Sequence, residues 1–225
     1  MKSWIMGALL IVLVPSYSWA GFIGIPTPLE REDWFPILAL VDFNERQIED
    51  YSGTRSYDLT TYSLHGEARI TDQINLTGGL GFSSISTEDG KLDSDPSISY
   101  GFGAKLHLLD IEKYAISFGT GFQFHNLDNE DEKRNLEIFY REYQFFLGST
   151  IFCFKNIRPY GGLVLSRVSG GIKNPDGSRN SISENRIPGL FVGTEVYLSP
   201  HLDLGIETRV ISETALSFFL NYYIR

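Results

Sequence analysis

The sequence has little of three things that narrow a protein's class: cysteine, basic residues and long apolar segments. A single cysteine, Cys153, excludes an intramolecular disulfide and any cysteine-rich zinc site. Lys and Arg together number 19 against 28 Asp and Glu, which gives a net charge of -9. Nucleic-acid binding requires clustered basic residues that displace phosphate counterions, so this acidic chain predicts no nucleic-acid partner.

The long apolar run of the chain is confined to its amino terminus. After Lys2, apolar residues extend from position 4 to 14, and the small residues Ser18 and Ala20 lie at the positions that precede a cleavage site. This order is typical of a secretory signal peptide that is cleaved after Ala20. A membrane anchor is the alternative, but a spanning helix needs about 20 apolar residues, and no later stretch approaches that length. We predict a signal peptide over 1–20, an irregular periplasmic lead-in over 21–34 and one folded domain over 35–225.

From Phe35 onward, apolar and polar side chains alternate with a period of two, which indicates β-strands. Between Tyr62 and Ile70 the even positions are apolar or small, whereas the odd positions include Glu67 and Arg69. The same pattern recurs in six further segments: 74–82, 98–108, 114–125, 190–198, 204–210 and 216–224. Three more segments, 37–47, 138–153 and 159–169, carry large apolar groups on both faces. Ten strands result, with eight as the alternative.

The connections between these segments alternate in length. Short ones lie at 71–73, 110–113, 155–158 and 199–201, and longer polar ones lie near 48–56, 87–96, 128–135 and 171–185. Strands joined alternately by tight turns and long loops form an up-and-down antiparallel meander with its long loops at one end.

Two closed architectures fit such a meander, and they differ in which face meets the solvent. A soluble lipocalin-like barrel keeps its apolar face inside around a lipid, whereas a transmembrane barrel turns that face outward. Segments that reach about ten to fourteen residues suit a tilted membrane strand, which needs about nine to eleven. Tyr62, Tyr100, Tyr114 and Tyr222 lie on apolar faces near strand ends, as interfacial aromatic girdles require. The pattern favours an all-β, antiparallel up-and-down transmembrane β-barrel over a soluble lipid-binding barrel.

Three segments carry a likeness to a known group of proteins: the turn-and-strand unit at 70–82 (ITDQINLTGGLGF), the strand entry at 158–162 (RPYGG) and the turn at 198–206 (LSPHLDLGI). They resemble the small outer-membrane β-barrel proteins of Gram-negative bacteria, including the outer membrane protein A-like β-barrel domain. The resemblance implies a monomer in the outer membrane, in contact with its lipid and lipopolysaccharide and inserted by the barrel assembly machinery. Such proteins usually end in an aromatic residue, whereas this chain ends in Arg225.

A polar face that lines the lumen would bring ten charged side chains into the barrel. Buried charges must be paired, because an unpaired ion in a low-dielectric space costs several kcal/mol. The set is balanced, which predicts an ion-pair network that fills the lumen and a structural or surface-interaction role; a passive or selective pore is the alternative. The five acids and five bases are Asp42, Arg46, Glu67, Arg69, Lys105, Glu142, Arg167, Glu195, Glu207 and Arg209.

Glycine pairs occupy the predicted luminal phase of three successive strands. A wall without side chains makes room for another group. That group is either large side chains of the opposite wall, such as Phe191 and Tyr197, or water or a small ligand in a cavity. The glycines of this candidate cavity wall are Gly79, Gly81, Gly101, Gly103, Gly119 and Gly121.

The sequence carries no catalytic signature. Omptin-type barrel proteases use an Asp pair with an Asp–His pair at one rim, but the candidates Asp93 and Asp95 lie in a long loop and His201 and Asp203 lie at a short turn. A Gly-x-Ser-x-Gly elbow, a phosphate loop and a helical zinc motif are all absent from the sequence. We therefore predict no enzymatic activity, no cofactor and no bound metal.

Overall fold

The computed structural model describes residues 23–26, 35–50, 53–87, 89–90, 92–184, 187–211 and 214–224. No helix in these ranges is long and apolar enough to cross a membrane. The described residues form eleven strands: β1 (Phe35–Asp50), β2 (Gly53–Arg69), β3 (Ile74–Thr87), β4 (Ser97–Ile111), β5 (Ile116–Asp131), β6 (Leu136–Ile151), β7 (Ile157–Lys173), β8 (Arg179–Ser183), β9 (Ile187–Ser199), β10 (Leu202–Val210) and β11 (Thr214–Ile224).

Ten of these strands close into one antiparallel barrel. Neighbours in sequence pair with each other, except that β7 pairs with β9, and the first strand closes the ring by pairing with the last from Phe35↔Ile224 to Glu45↔Thr214. The short β8 lies in the connection between β7 and β9, where it extends the edge of β7. The predicted ten-stranded up-and-down barrel is confirmed, and the pairing of β1 with β11 closes the ring.

The outer face of the barrel is an apolar belt. Leu80, Ile98 and Val192 each expose 60% or more of their surface. On each of their strands, the residues before and after the exposed one point inward. An outward apolar face belongs to a barrel that meets lipid, so the chain is a transmembrane β-barrel and the soluble alternative is wrong. Other exposed members of this belt are Tyr62, Leu64, Leu76, Phe82, Tyr100, Phe102, Tyr114, Phe145, Leu147, Leu163, Leu165, Leu204, Ile206, Phe218, Leu220 and Tyr222.

The two ends of the barrel differ. At one end, which we call the turn end, short connections join the strands, close to the predicted short turns. They are 70–73, 112–115, 152–156 and 200–201. At the other, the hairpin end, strand pairs continue into the segments predicted as long loops. For example, β1 pairs with β2 as far as Asp50↔Gly53, and β5 with β6 as far as Asp131↔Leu136. The loop predictions near 48–56 and 128–135 are therefore largely wrong. A polar segment in water can form a paired β-hairpin as well as an irregular loop, and its polarity does not distinguish the two.

The segment before β1 enters the barrel. Ile23 is 1% exposed and packs in a mid-barrel cluster that also contains Leu40, Phe146, Tyr160, Val164, Phe191 and Phe219. The predicted periplasmic lead-in is thus wrong for residues 23–26, which lie in the lumen. Burial of the Ile23 side chain among apolar groups removes its apolar surface from water, which favours this position. The predicted signal peptide and the rest of the lead-in lie outside the described residues.

Candidate functional site in the barrel lumen

Three buried arginines each hold two carboxylates, and we call these groups arginine centres. The first lies at the turn end, where Arg158 and Asp203 each occupy the second position of their strand. The Arg158 guanidinium contacts Glu195 at 2.6 Å and Asp203 at 2.9 Å, and its other face stacks on the Tyr197 ring at 4.0 Å. The Asn221 amide donates a further hydrogen bond to Glu195.

The second centre is built around Arg209 on β10. Its guanidinium contacts Asp42 of β1 at 2.9 Å and Glu207 at 3.6 Å. The Ser217 hydroxyl donates to Asp42 at 2.5 Å, and the Tyr160 hydroxyl donates to Glu207 at 3.1 Å. Because Asp42, Ser217 and Glu207 are aligned across β1, β11 and β10, the centre fastens the strands at which the barrel closes.

The third centre lies nearer the hairpin end, around Arg46. Its guanidinium contacts Glu142 at 2.9 Å and Glu184 at 3.2 Å. The Tyr140 and Ser166 hydroxyls each accept from Arg46 and donate to Glu142, so both bridge the ion pair. Every partner is buried, which makes this a desolvated network whose charges depend on one another.

Nine of the ten charged residues predicted in the lumen lie on the inner face. Lys105 and Glu67 form a separate pair at 3.0 Å, and Arg69, at the turn end of β2, bonds instead to Asp72 at 2.8 Å. The remaining inward residues, all buried, belong to the three centres: Asp42, Arg46, Glu142, Glu195, Glu207 and Arg209.

Arg167 is the exception, and its predicted place in the lumen is wrong. It is exposed on the outer face of β7, opposite Tyr143 of β6, while Val164 and Val168 take the inward positions. Large apolar residues occupy both faces of this strand, so alternation alone does not set its phase. Arg167 follows Leu165 at the edge of the apolar belt nearer the hairpin end, where a cation can reach headgroups.

Sequence reasoning missed three luminal charges: Arg158, Glu184 and Asp203. Arg158 and Glu184 lay in the predicted connections 155–158 and 171–185, and Asp203 lay between the predicted turn at 199–201 and the alternating segment at 204–210. With them, the centres and the Lys105–Glu67 pair contain seven carboxylates and four basic groups. The predicted balance of five and five is therefore replaced by an excess of acid.

The predicted glycine wall divides into two parts. Gly79, Gly81 and Gly101 line a luminal cavity of about 100 Å³, whereas Gly103, Gly119 and Gly121 are not among its lining residues. Gly79 lies against the His65 ring and Gly121 against the Phe146 ring, each its direct partner on the neighbouring strand.

The same pairing recurs outside the predicted set. The Tyr160 ring lies over Gly193 and the Phe219 ring over Gly205, again as direct cross-strand partners. Phe191, proposed from the sequence as a lumen filler, lies against Gly148, and Tyr197 stacks on Arg158 instead. At Gly79, Gly121, Gly193 and Gly205 the glycine therefore makes room for a ring of the adjacent strand, rather than for one of the opposite wall as predicted.

The cavity lies between Ile23 and the walls of β1 to β6. Apolar groups such as Leu38, Leu40 and Leu59 form part of its lining, and polar groups such as Gln123 and Gln144 form another. Within it, Ser63 and His65 lie on the same face of β2 and share a 2.8 Å hydrogen bond between Oγ and Nε2.

Similar proteins were found by structure alone. An outer membrane channel from Pseudomonas putida F1 superposes with a TM-score of 0.54 at 9% identity, over 91% of this chain and 100% of that one. The translocator domain of the autotransporter NalP from Neisseria meningitidis gives 0.47 at 11% identity, over 87% and 90%. The protease OmpT from Escherichia coli gives 0.46 at 10% identity, over 88% and 98%. No family model and no curated protein matches the sequence.

The chain has the fold of outer-membrane β-barrels. At sequence identities this low, structural similarity shows the fold alone, so the activity has to be argued from the residues of this chain.

The residues that could support omptin-type chemistry are far apart in this outer-membrane β-barrel fold. Asp93 is exposed in the connection after β3 and bonds to Lys133, at the hairpin end. His201 lies in a turn at the opposite end, and the neighbouring Asp203 is held by Arg158. Within the described part of the chain, no three His, Cys, Asp or Glu side chains are placed to hold a metal ion.

Proposed function

We propose that the protein is a sealed, monomeric barrel of the bacterial outer membrane with a structural or surface-interaction role and no catalytic one. Export would use the signal peptide cleaved after Ala20. The turn end would face the periplasm, and the hairpin end would face the outside of the cell. The narrower assignment to the outer membrane protein A-like domain stays a prediction.

The observation that carries this proposal is the filling of the lumen along its length. The Arg158 centre occupies the turn end, and the mid-barrel cluster with Ile23 and the Arg209 centre follow. Beyond the Arg46 centre, a second apolar cluster occupies the hairpin end. Its buried members are Tyr57, Leu59, Ile85, Leu92, Leu127, Ile138, Tyr140, Val168 and Ile182. An ion that crossed this barrel would have to displace closely packed side chains, whereas an ion in a water-filled pore displaces only water.

The outer surface supports contact with outer-membrane lipid and lipopolysaccharide. Arg141 and Arg167 are exposed on neighbouring strands beyond the belt residues Tyr143 and Leu165, on the hairpin side. Cations at that height can pair with anionic headgroups while the belt meets the acyl chains. Delivery to the membrane by the barrel assembly machinery is part of the same proposal.

A small cation-preferring pore is the second candidate. The seven carboxylates against four basic groups favour it, because a ring of acid selects cations in a conducting lumen. It requires a continuous water path, however, whereas the cavity beside Ile23 measures about 100 Å³.

Conductance separates the two candidates. Purified, folded protein in a planar lipid bilayer is expected to give no stepwise currents in molar salt, whereas a porin prepared in parallel does. The physical reason is that, among the described residues, three arginine centres and two apolar clusters occupy successive levels of the lumen. Reproducible unitary steps with cation selectivity would establish the pore instead and remove the proposed seal.

A further inference from the structure

One wall of the luminal cavity carries four polar side chains, which we call the polar wall: His65, Thr77, Gln123 and His125. They lie in two rows across β2 to β5, and glycines separate the members of each row. Gly79 and Gly101 lie between the two histidines, and Gly103 lies between the other two residues, nearer the turn end. A glycine in a strand leaves room for another group to approach the wall, so the polar side chains border open space.

The polar wall has unused hydrogen-bonding capacity. The side chains of Thr77, Gln123 and His125 form no hydrogen bond with any described residue. The His65 ring uses Nε2, which shares a 2.8 Å hydrogen bond with Ser63. All four residues of the wall face the lumen but are only half-buried. Because a hydroxyl, an amide and a neutral imidazole can each donate and accept, the wall suits a molecule that carries both kinds of group.

The charged side chains that line the cavity, by contrast, already have counterions within the described part of the chain. The pairs are Asp42–Arg209, Glu142–Arg46 and Glu67–Lys105. A charged ligand would add an ion without a partner to this desolvated space, which is unfavourable. The lining therefore favours a neutral occupant.

The apolar part of the lining limits the size and the polarity of that occupant. Leu38 and Leu40 of β1 border the cavity together with Ile23, whose amide donates to Glu207 at 3.1 Å and so fixes it there. Water finds no hydrogen-bond partner on such a surface, whereas the face of a ring packs against it. An engineered cavity of about 150 Å³ binds benzene. The cavity here measures about 100 Å³, so its occupant is no larger than a single six-membered ring.

We propose that the cavity is a binding site for a neutral, single-ring heterocycle that both donates and accepts hydrogen bonds. Uracil and 2-pyridone represent this class. The polar edge of the ring would bond to Gln123, Thr77 and His125, and its face would pack against Leu38 and Leu40. Such a site goes beyond the structural role proposed above, and it needs no path through the barrel.

The turn-end side of the cavity offers the entrance. There the Lys105 and Glu67 side chains are 10% and 13% exposed, whereas those of Arg46 and Glu142 on the hairpin side are 0% and 2% exposed. A partly solvated ion pair separates at a lower cost than a desolvated one. In the proposed orientation, the compound would therefore enter from the periplasm.

Isothermal titration calorimetry of the folded barrel in detergent tests the site, with uracil and 2-pyridone as the probes. The wild type should bind each compound saturably, at one site per barrel. Gln123→Leu should weaken binding at least about tenfold, because it removes a donor and an acceptor from the polar wall. Gln73→Leu, the same change at an exposed turn, is the matched control and should bind like the wild type.

Two further measurements make the result decisive. Thr77→Val keeps the shape of the side chain and should also weaken binding, so it serves as the test should Gln123→Leu fail to fold. Orotate, which adds a carboxylate to the uracil ring, should bind at least about tenfold more weakly than uracil.

Three results would overturn the proposal. They are the absence of saturable binding of both probes, equal affinities of the wild type and the polar-wall variants, and orotate binding as tight as that of uracil. The first would leave water as the occupant, and the second would place binding elsewhere. Conductance tests the seal alone, so the binding site and the sealed barrel can fail separately.

Discussion

Replacing Arg46 with alanine is expected to lower the free energy of unfolding by about 3–5 kcal/mol, because Glu142 and Glu184 would remain buried without their cation. The loss reaches beyond the ion pairs, since the Tyr140 and Ser166 hydroxyls donate to Glu142 and accept from Arg46. Urea unfolding of the barrel in lipid vesicles, followed by tryptophan fluorescence and by the gel migration of unheated samples, measures the change.

Arg167→Ala is the matched control for this experiment. It removes the same side chain from an exposed position on the outer face, and we expect a change of about 0.5 kcal/mol or less. Adding Glu142→Gln and Glu184→Gln to Arg46→Met should recover most of the lost stability, because neutral partners no longer need a cation. Equal effects of Arg46→Ala and Arg167→Ala would show that the centre is not a desolvated network.

Replacing Leu80 with arginine should cost about 2–4 kcal/mol, since a charge in the lipid-facing belt must leave the hydrocarbon or distort the bilayer. Leu80 is 66% exposed and lies between Leu64 and Tyr100 on the neighbouring strands. The same unfolding measurement applies, with Leu80→Ala as the control for lost side-chain volume. In a water-soluble barrel an exposed Leu80→Arg would be neutral, so an unchanged unfolding midpoint would contradict the transmembrane assignment.

The strands and their outward faces could be predicted because contact with lipid requires an apolar side chain at every second residue. Leu80, Phe102 and Val192 are such residues, in segments where apolar and polar residues alternate regularly. Where both faces are apolar the signal disappears: on β7, Val164 and Val168 point inward and Leu163 and Leu165 outward. The phase there depends on packing across the lumen, which placed Arg167 outside against the prediction.

The arginine centres and the luminal segment depend on contacts between residues distant in sequence. Ile23 and Glu207 are 184 positions apart, and Arg46 meets Glu142 from the opposite half of the chain. Alternation predicts that such side chains point inward, but the strand shear decides which of them meet. Asp203 and Glu184 were missed for a related reason. They follow a turn or a hairpin, where apolar and polar residues do not alternate and the direction of a side chain cannot be predicted from the sequence.

Cysteine labelling in intact cells tests the central claim most directly: that the chain crosses the outer membrane with its hairpin end outside. The single natural cysteine, Cys153, is exposed in the turn at 152–156, and Pro175 is exposed in the turn between β7 and β8 at the hairpin end. A membrane-impermeant maleimide should label Pro175→Cys in intact cells and reach Cys153 only after the outer membrane is permeabilised. Labelling of Cys153 in intact cells, or of Pro175→Cys only after permeabilisation, would contradict the account.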